Sequence, residues 1–352
     1  MLHRKQYRVA TGVTIMVLAL TLTACGIQEN TGSTESVKST ETVESIETVE
    51  NTETVESIET MESTETIENV EIIGAMASES VAPQGTANVT PQVQPVEYTD
   101  LQQITLDSTW EYADHSKINT GAAVLYRAPE ESGRKGIVIG VNAGHGTAGG
   151  AKVKTLCHPD GSAKVTGGST AAGSTEAAAV SGGMTFQDGT PEREVTLRMA
   201  QILRDKLLSS GYDVLMLRDS EDVQLDNVAR TVICNNVADC HIALHWDSGD
   251  GKNYDKGCFY ISVPEALKTM EPVASHWQQH DTLGTDLVEG LREQGAMIYG
   301  KGNMSIDLTQ TSYSTIPSVD MELGNAYSDH SDEVLEQLAI GLLAGINTYF
   351  EQ

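Results

Sequence analysis

Basic residues are scarce in this chain: 22 Lys and Arg stand against 50 Asp and Glu over 352 residues, a formal charge of −28. Phosphate contacts need clustered Lys and Arg, and outside Arg4, Lys5 and Arg8 no cluster appears, so no nucleic-acid partner is expected. Long apolar runs are missing too. The stretch from Val9 to Leu22 is too short for a comfortable bilayer span. Cysteine is limited to five residues with no C-x-x-C among them, which disfavours a zinc site built from four thiolates. Aromatic residues make up only 5% of the chain.

What is present divides into three parts. Arg4, Lys5 and Arg8 precede the short apolar run, the order of a signal peptide. The run ends in Leu22-Thr23-Ala24-Cys25-Gly26, which looks like a bacterial lipobox, and that likeness implies that Cys25 is diacylated and becomes the first mature residue. Two acyl chains anchor stably where one does not, so the mature protein is expected outside the cell on the membrane surface. Residues 26–95 follow as a tether. Every third residue from Glu41 to Glu71 is Glu, inside a twelve-residue repeat that reads TETVESIETVEN and then TETVESIETMES. A period of three suits neither a helix nor a strand, and the like charges repel, so an extended coil reaching roughly 45 Å is expected.

Residues 96–352 alternate strand and helix patterns. Gly136–Asn142 reads as a buried strand, ending at the turn Ala143-Gly144-His145-Gly146. Thr190-Pro191 supplies a cap and first-turn proline for a helix over Glu192–Ser210, with Val195, Met199, Ile202, Leu203 and Leu207 on one face. Strands are predicted at Asp213–Leu217, His241–His245, Gly257–Val263 and Ser318–Leu323. Helices are predicted at Val223–Asn235, around Leu283–Leu291 and at Asp332–Phe350. This order implies an α/β domain, a twisted and largely parallel or mixed sheet with helices on both faces, in which ligands gather where strands end.

Four polar residues fall at those ends: His145 after the first strand, Glu192 opening the first long helix, His245 closing CHIALH, and Glu322 in SVDMELG. Two imidazoles and a carboxylate form a known zinc set that leaves a place for water, and a further carboxylate can take that water's proton. Taken singly each has a blander reading, such as a strand-end His that is merely hydrogen-bonded or a first-turn Glu serving the helix dipole. A Glu in a buried strand is rarer.

Order and setting together give more. The blocks IVIGVNAGHG, EREVTLRMAQILRDKLLSSGYDVLMLR, ADCHIALH and IPSVDMELGN, with Arg230 and Asn235 between them, resemble the zinc-dependent N-acetylmuramoyl-L-alanine amidases that cleave peptidoglycan. The resemblance covers about residues 136–349. It implies one Zn2+ held by His145, Glu192 and His245, Glu322 as general base, and peptidoglycan muramyl peptide as substrate. It implies a structural ion pair for Arg230, and leaves open a protein activator. A related zinc peptidase, or a lipoprotein that binds peptidoglycan without cutting it, are the competing readings. Glu194 competes with Glu192, which has the better spacing to Val195 and Leu197.

This chain also departs from the family. It has Asn142-Ala143 where many members have Asp-Pro, Trp246-Asp247 after His245, and Asp320 in place of an aliphatic residue two positions before Glu322. None of these falls on a proposed ligand. The loop over 147–190 is long, and long loops in compact domains are commonly functional, so it is expected to border the zinc cleft. Its His158 reads as a surface residue in preference to a fourth ligand. Cys157, Cys234, Cys240 and Cys258 permit three disulfide pairings or free thiols, with no catalytic role expected.

Overall fold

The structure, a computed structural model, describes residues 101–249, 251 and 253–351. The expected signal peptide, Cys25 and the Glu repeat lie outside the described residues. Ten strands and five α-helices follow in chain order: β1 (Leu101–Ile104), β2 (Ala123–Tyr126), β3 (Val138–Ala143), β4 (Lys154–Leu156), β5 (Glu176–Ala178), α1 (Glu192–Ser209), β6 (Asp213–Met216), α2 (Asn227–Val237), β7 (Cys240–Asp247), β8 (Cys258–Ser262), α3 (Val273–Glu293), β9 (Ile298–Ser305), α4 (Thr309–Tyr313), β10 (Ser318–Asn325) and α5 (Asp332–Phe350). Eight strands form one mixed sheet in the order β1-β2-β6-β3-β7-β10-β8-β9. Its centre, β6-β3-β7-β10, is parallel throughout. β4 and β5 form a separate antiparallel pair inside the long 147–190 segment.

Alternation along each central strand sorts side chains between the two faces. Ile139 and Val141 of β3, Ile242 and Leu244 of β7, and Val319 and Met321 of β10 pack into the larger core with α1, α3 and α5. Each such side chain is worth roughly 1.5–3 kcal/mol when fully buried. The opposite residues, Asn142 on β3, His241, Ala243 and His245 on β7, and Asp320 and Glu322 on β10, therefore share the other face. That face is covered by α2, whose Ala229, Ile233 and Cys234 pack on Leu215 and Leu217, and by α4. Helices thus lie on both faces, as the alternating pattern implies.

Two local expectations are corrected. Pro191 itself occupies the N-cap of α1, and no side chain caps that helix. The second helix starts at Asn227, four residues later than its apolar pattern suggests, because Asp226 caps it by accepting from the Ala229 N–H. The four described cysteines are all buried and free. Among the described residues no helix is long and apolar enough to cross a membrane.

Candidate metal centre

The centre is assembled at the C-terminal ends of β3 and β7 and the N-terminus of α1. β3 delivers the turn Gly144-His145-Gly146, where His145 takes a left-handed φ of 64° and Gly146 one of 68°. Such a φ is a strain for histidine. Two buried arginines hold the turn in place. Arg218 donates to the carbonyls of Ala143 and Gly144. Arg230 donates to Asn142 Oδ1 and to the carbonyls of Ala143 and His145, the last at 2.7 Å. Arg230 is therefore not the ion-pair partner that the resemblance implied; its donors go to carbonyl, amide and hydroxyl oxygens. Burial pulls the pKa of Arg218 down to about 10 and that of Arg230 to about 9, with each of them also feeling a neighbouring arginine.

His145, Glu192 and His245 meet at one point. His145 Nε2 lies 2.9 Å from Glu192 Oε1, which lies 3.1 Å from His245 Nδ1, and the two imidazoles approach to 3.0 Å. The donor atoms of all three lie within 4.8 Å of one another, so the cluster could hold a metal ion. Two imidazole nitrogens and one carboxylate oxygen converging on one point fit a zinc-type donor set. Burial works against charge on Glu192, but hydrogen bonds from His145 and His245 outweigh it and hold the carboxyl far below its usual range. On His245 burial again opposes charge, and Asp320, then Glu192, lift the ring to about 10.

Two of the three candidate ligands are also held from behind. Glu192 Oε2 accepts from the Met184 N–H, while Oε1 accepts from the Trp246 N–H. His145 Nδ1 meets Ser181 at its carbonyl, 3.0 Å, and hydroxyl, 3.1 Å. Such outer partners fix ring orientation and tautomer. Ser181 and Met184 come from the long 147–190 segment, so that loop supports two of the three candidate ligands as well as bordering the cleft. Nothing in the sequence marked Ser181, because a serine in a Gly- and Ser-rich loop looks like spacer.

Gly144 shows why the turn needs its sequence. A Cβ there would sit 2.2 Å from His245 Cε1 and 2.5 Å from Nε2, so the ring and the turn can pack this closely only without a side chain.

The cluster opens into a cleft of about 590 Å³ lined by Lys164, Ser181, Asn227, Arg230 and Leu308, among others, together with Asp320 and Glu322. Glu322 stands beside His245 in the β7–β10 register, and its Oε2 is buried with no hydrogen-bond partner. Burial first, and then Asp320, pushes its pKa well above the ordinary carboxylate value. Sequence reasoning named all four of these residues, and the fold brings all four to one cleft. Glu194, the competing ligand, instead lies exposed on α1 beside Arg193. His158 is no surface residue: it is fully buried, with Nε2 2.9 Å from Asp307 Oδ1 and Nδ1 2.8 Å from Ser162 Oγ. It pins the long loop to the segment before α4 and stands apart from the metal cluster. Asn235 ties α2 to the same region through the Tyr313 carbonyl and the Thr315 N–H. His241 is buried with both ring nitrogens unpartnered, and burial lowers it to about 3, so it offers Cys240 no catalytic base.

The profile of the N-acetylmuramoyl-L-alanine amidase family matches residues 139–343, which contain every element of the centre. The chain belongs to that family. Amidases of this family act on peptidoglycan, and peptidoglycan amide hydrolysis is the chemistry that membership brings. The fold agrees. The structure is similar to the N-acetylmuramyl-L-alanine amidase Ami1 of Mycobacterium smegmatis at a TM-score of 0.51 and 16% identity, over 61% of this chain and 97% of that one. The apo Ami1 of Mycobacterium abscessus aligns at 0.49 and 19% identity, over 61% and 99%. No curated protein matches the chain.

Proposed function

We propose that this amidase is a zinc-dependent enzyme, lipid-anchored to the outer face of the cell membrane, which cuts the amide between the lactyl group of N-acetylmuramic acid and the L-alanine of the stem peptide. The observation that carries the reading is the convergence of His145 Nε2, Glu192 Oε1 and His245 Nδ1 in a cleft that also presents the unpartnered Glu322 Oε2. Zinc held by the three would supply Lewis acidity to the scissile carbonyl and acidify a water.

The chain's own residues do the rest. Glu322 takes the water's proton and passes it to the leaving amine, work suited to a carboxyl whose burial raises its proton affinity. Asn227 and Lys164 line the cleft with donors for the glycan and peptide carbonyls. Anchoring rests on the lipobox-like Cys25, and the acidic stretch after it gives the catalytic part reach toward a fixed mesh near the membrane. A protein activator is compatible with this arrangement.

The test is zinc content and muropeptide release for the fragment from residue 96, beside Glu322→Ala. About one zinc, stem peptides with free L-alanine amino termini, and loss of release with retained metal in the variant are expected. Products cut at a peptide bond would move the chain to a zinc peptidase. Tight zinc with no release under any condition would move it to a binding lipoprotein.

A further inference from the structure

The cleft holds one carboxylate that the mechanism above leaves unused. Asp320 lies two residues before Glu322 on β10, so both point to the cleft face, and Asp320 is only 9% exposed. Its Oδ1 has no hydrogen-bond partner. Its Oδ2 lies 3.8 Å from His245 Nε2, and among the described residues His245 is the one basic side chain within ion-pair distance. The other nitrogen of the same ring, Nδ1, faces His145 and Glu192. One imidazole therefore bridges the ligand cluster and Asp320.

The sheet register shows how the acid came within reach. Ala243 of β7 pairs with Asn142 of β3 on one side and with Asp320 of β10 on the other. Both flank the row just behind His245, on the cleft face, about 10 Å apart across two strand spacings. At the β3 position the chain carries a neutral amide whose oxygen accepts from Arg230; at the β10 position it carries the acid. An imidazole that gives one nitrogen to a metal keeps its proton on the other, and a carboxylate beside that N–H fixes the ring's rotation and tautomer and makes it a stronger ligand.

We propose that Asp320 is a positioning residue for the metal centre: its carboxylate pairs with the Nε2–H of His245, holds Nδ1 toward His145 and Glu192, and so raises the affinity for zinc. The inference rests on the reading of the cluster as a zinc site. It is tested on the full chain in detergent, as wild type, Asp320→Leu and Asp320→Asn, by chelator-competition affinity for Zn2+, melting of the metal-free protein, and nitrogen NMR of labelled histidines in the zinc-loaded protein.

Asp320→Leu should bind zinc 10- to 100-fold more weakly, while its metal-free form melts no lower than wild type, since an apolar group replaces a buried charge. Asp320→Asn keeps an oxygen acceptor in place and should recover most of the affinity. The wild-type spectrum should show His245 metal-bound at Nδ1 and protonated at Nε2. Unchanged zinc affinity in Asp320→Leu overturns the proposal, as does metal on Nε2 of His245, or an affinity loss matched by lower melting of the metal-free form. If the wild type itself binds no zinc, it is the metal reading that fails.

Discussion

Substituting Gly144 by alanine puts one methyl group where the His245 ring lies. The new Cβ would meet His245 Cε1 at 2.2 Å, Nε2 at 2.5 Å and Nδ1 at 2.6 Å, where ordinary contact begins at 3.4 Å. The ring must retreat by roughly 1 Å, a misplacement that costs on the order of 100-fold in rate, or about 2.7 kcal/mol of transition-state stabilisation. Gly144 has no left-handed φ, so the effect is steric and confined to the ring; overpacking of this kind costs about 1–3 kcal/mol of stability, and the protein should still fold. Gly182→Ala is the matched control, because a Cβ there meets nothing within 4 Å. Muropeptide release would be followed with zinc content and thermal melting for both variants. Expected are a roughly hundredfold slower Gly144→Ala with weakened zinc binding, and a Gly182→Ala indistinguishable from wild type. A Gly144→Ala enzyme with wild-type rate and metal affinity would refute the argument that this close approach places the ligand.

Other perturbations reach the structure behind the centre. Arg230→Met leaves the His145 carbonyl and Asn142 Oδ1 buried without a donor; at about 1–3 kcal/mol per orphaned group, a loss of roughly 2 kcal/mol or more is expected in urea unfolding, together with weaker zinc binding. His158→Ala removes one partner of the buried pair with Asp307 and should release the long loop, seen as new protease cleavage within 157–176 and a raised KM for muropeptides, while α/β core melting changes little. Asp213 is buried, which alone would raise its pKa, but hydrogen bonds from Arg134, the Ala128 N–H and Arg127 lower it below the ordinary 3.8. A depressed folded-state pKa contributes stability that is present above the unfolded value and lost as pH falls through the folded one. Melting temperature should therefore drop below about pH 4 in wild type and be flatter with pH in Asp213→Asn, which starts from lower stability; parallel curves would dismiss Asp213 as the group responsible.

The central strands and long helices were legible because they bury one face or both, and burial writes a period into the sequence. Asp332–Phe350 is the clearest case: Leu335, Leu338, Ala339, Leu342 and Ile346 are all buried, and the helix spans the range its periodicity predicts. β1, β2 and β9 left little pattern. β1 is an edge strand whose residues are mostly exposed. β9, at the other edge, carries Gly300 and Gly302 at positive φ and exposes half of its residues, with one buried, so neither alternation nor β-branched enrichment marks it. The candidate ligands, which the fold gathers at one point, were legible through turn chemistry and strand-end placement, which are local.

What supports those ligands is not local, and that explains why it was invisible. Ser181 reaches His145 across 36 residues, Arg230 reaches the His145 carbonyl across 85, and His158 meets Asp307 across 149. Each contact depends on the path of a loop or on strand order, neither of which has a sequence period. Asp320 is the sharpest instance. From the sequence it is a departure from an aliphatic pattern, a polar residue that breaks a buried strand. The register turns it into half of a pair: with Asn142 it brackets Ala243, two strands apart on the cleft face. Buried, unpartnered at Oδ1 and facing one imidazole, its carboxylate carries the desolvation penalty of a buried charge; the compensating interaction available to it among the described residues is with His245, and through His245 with whatever cation the cluster holds.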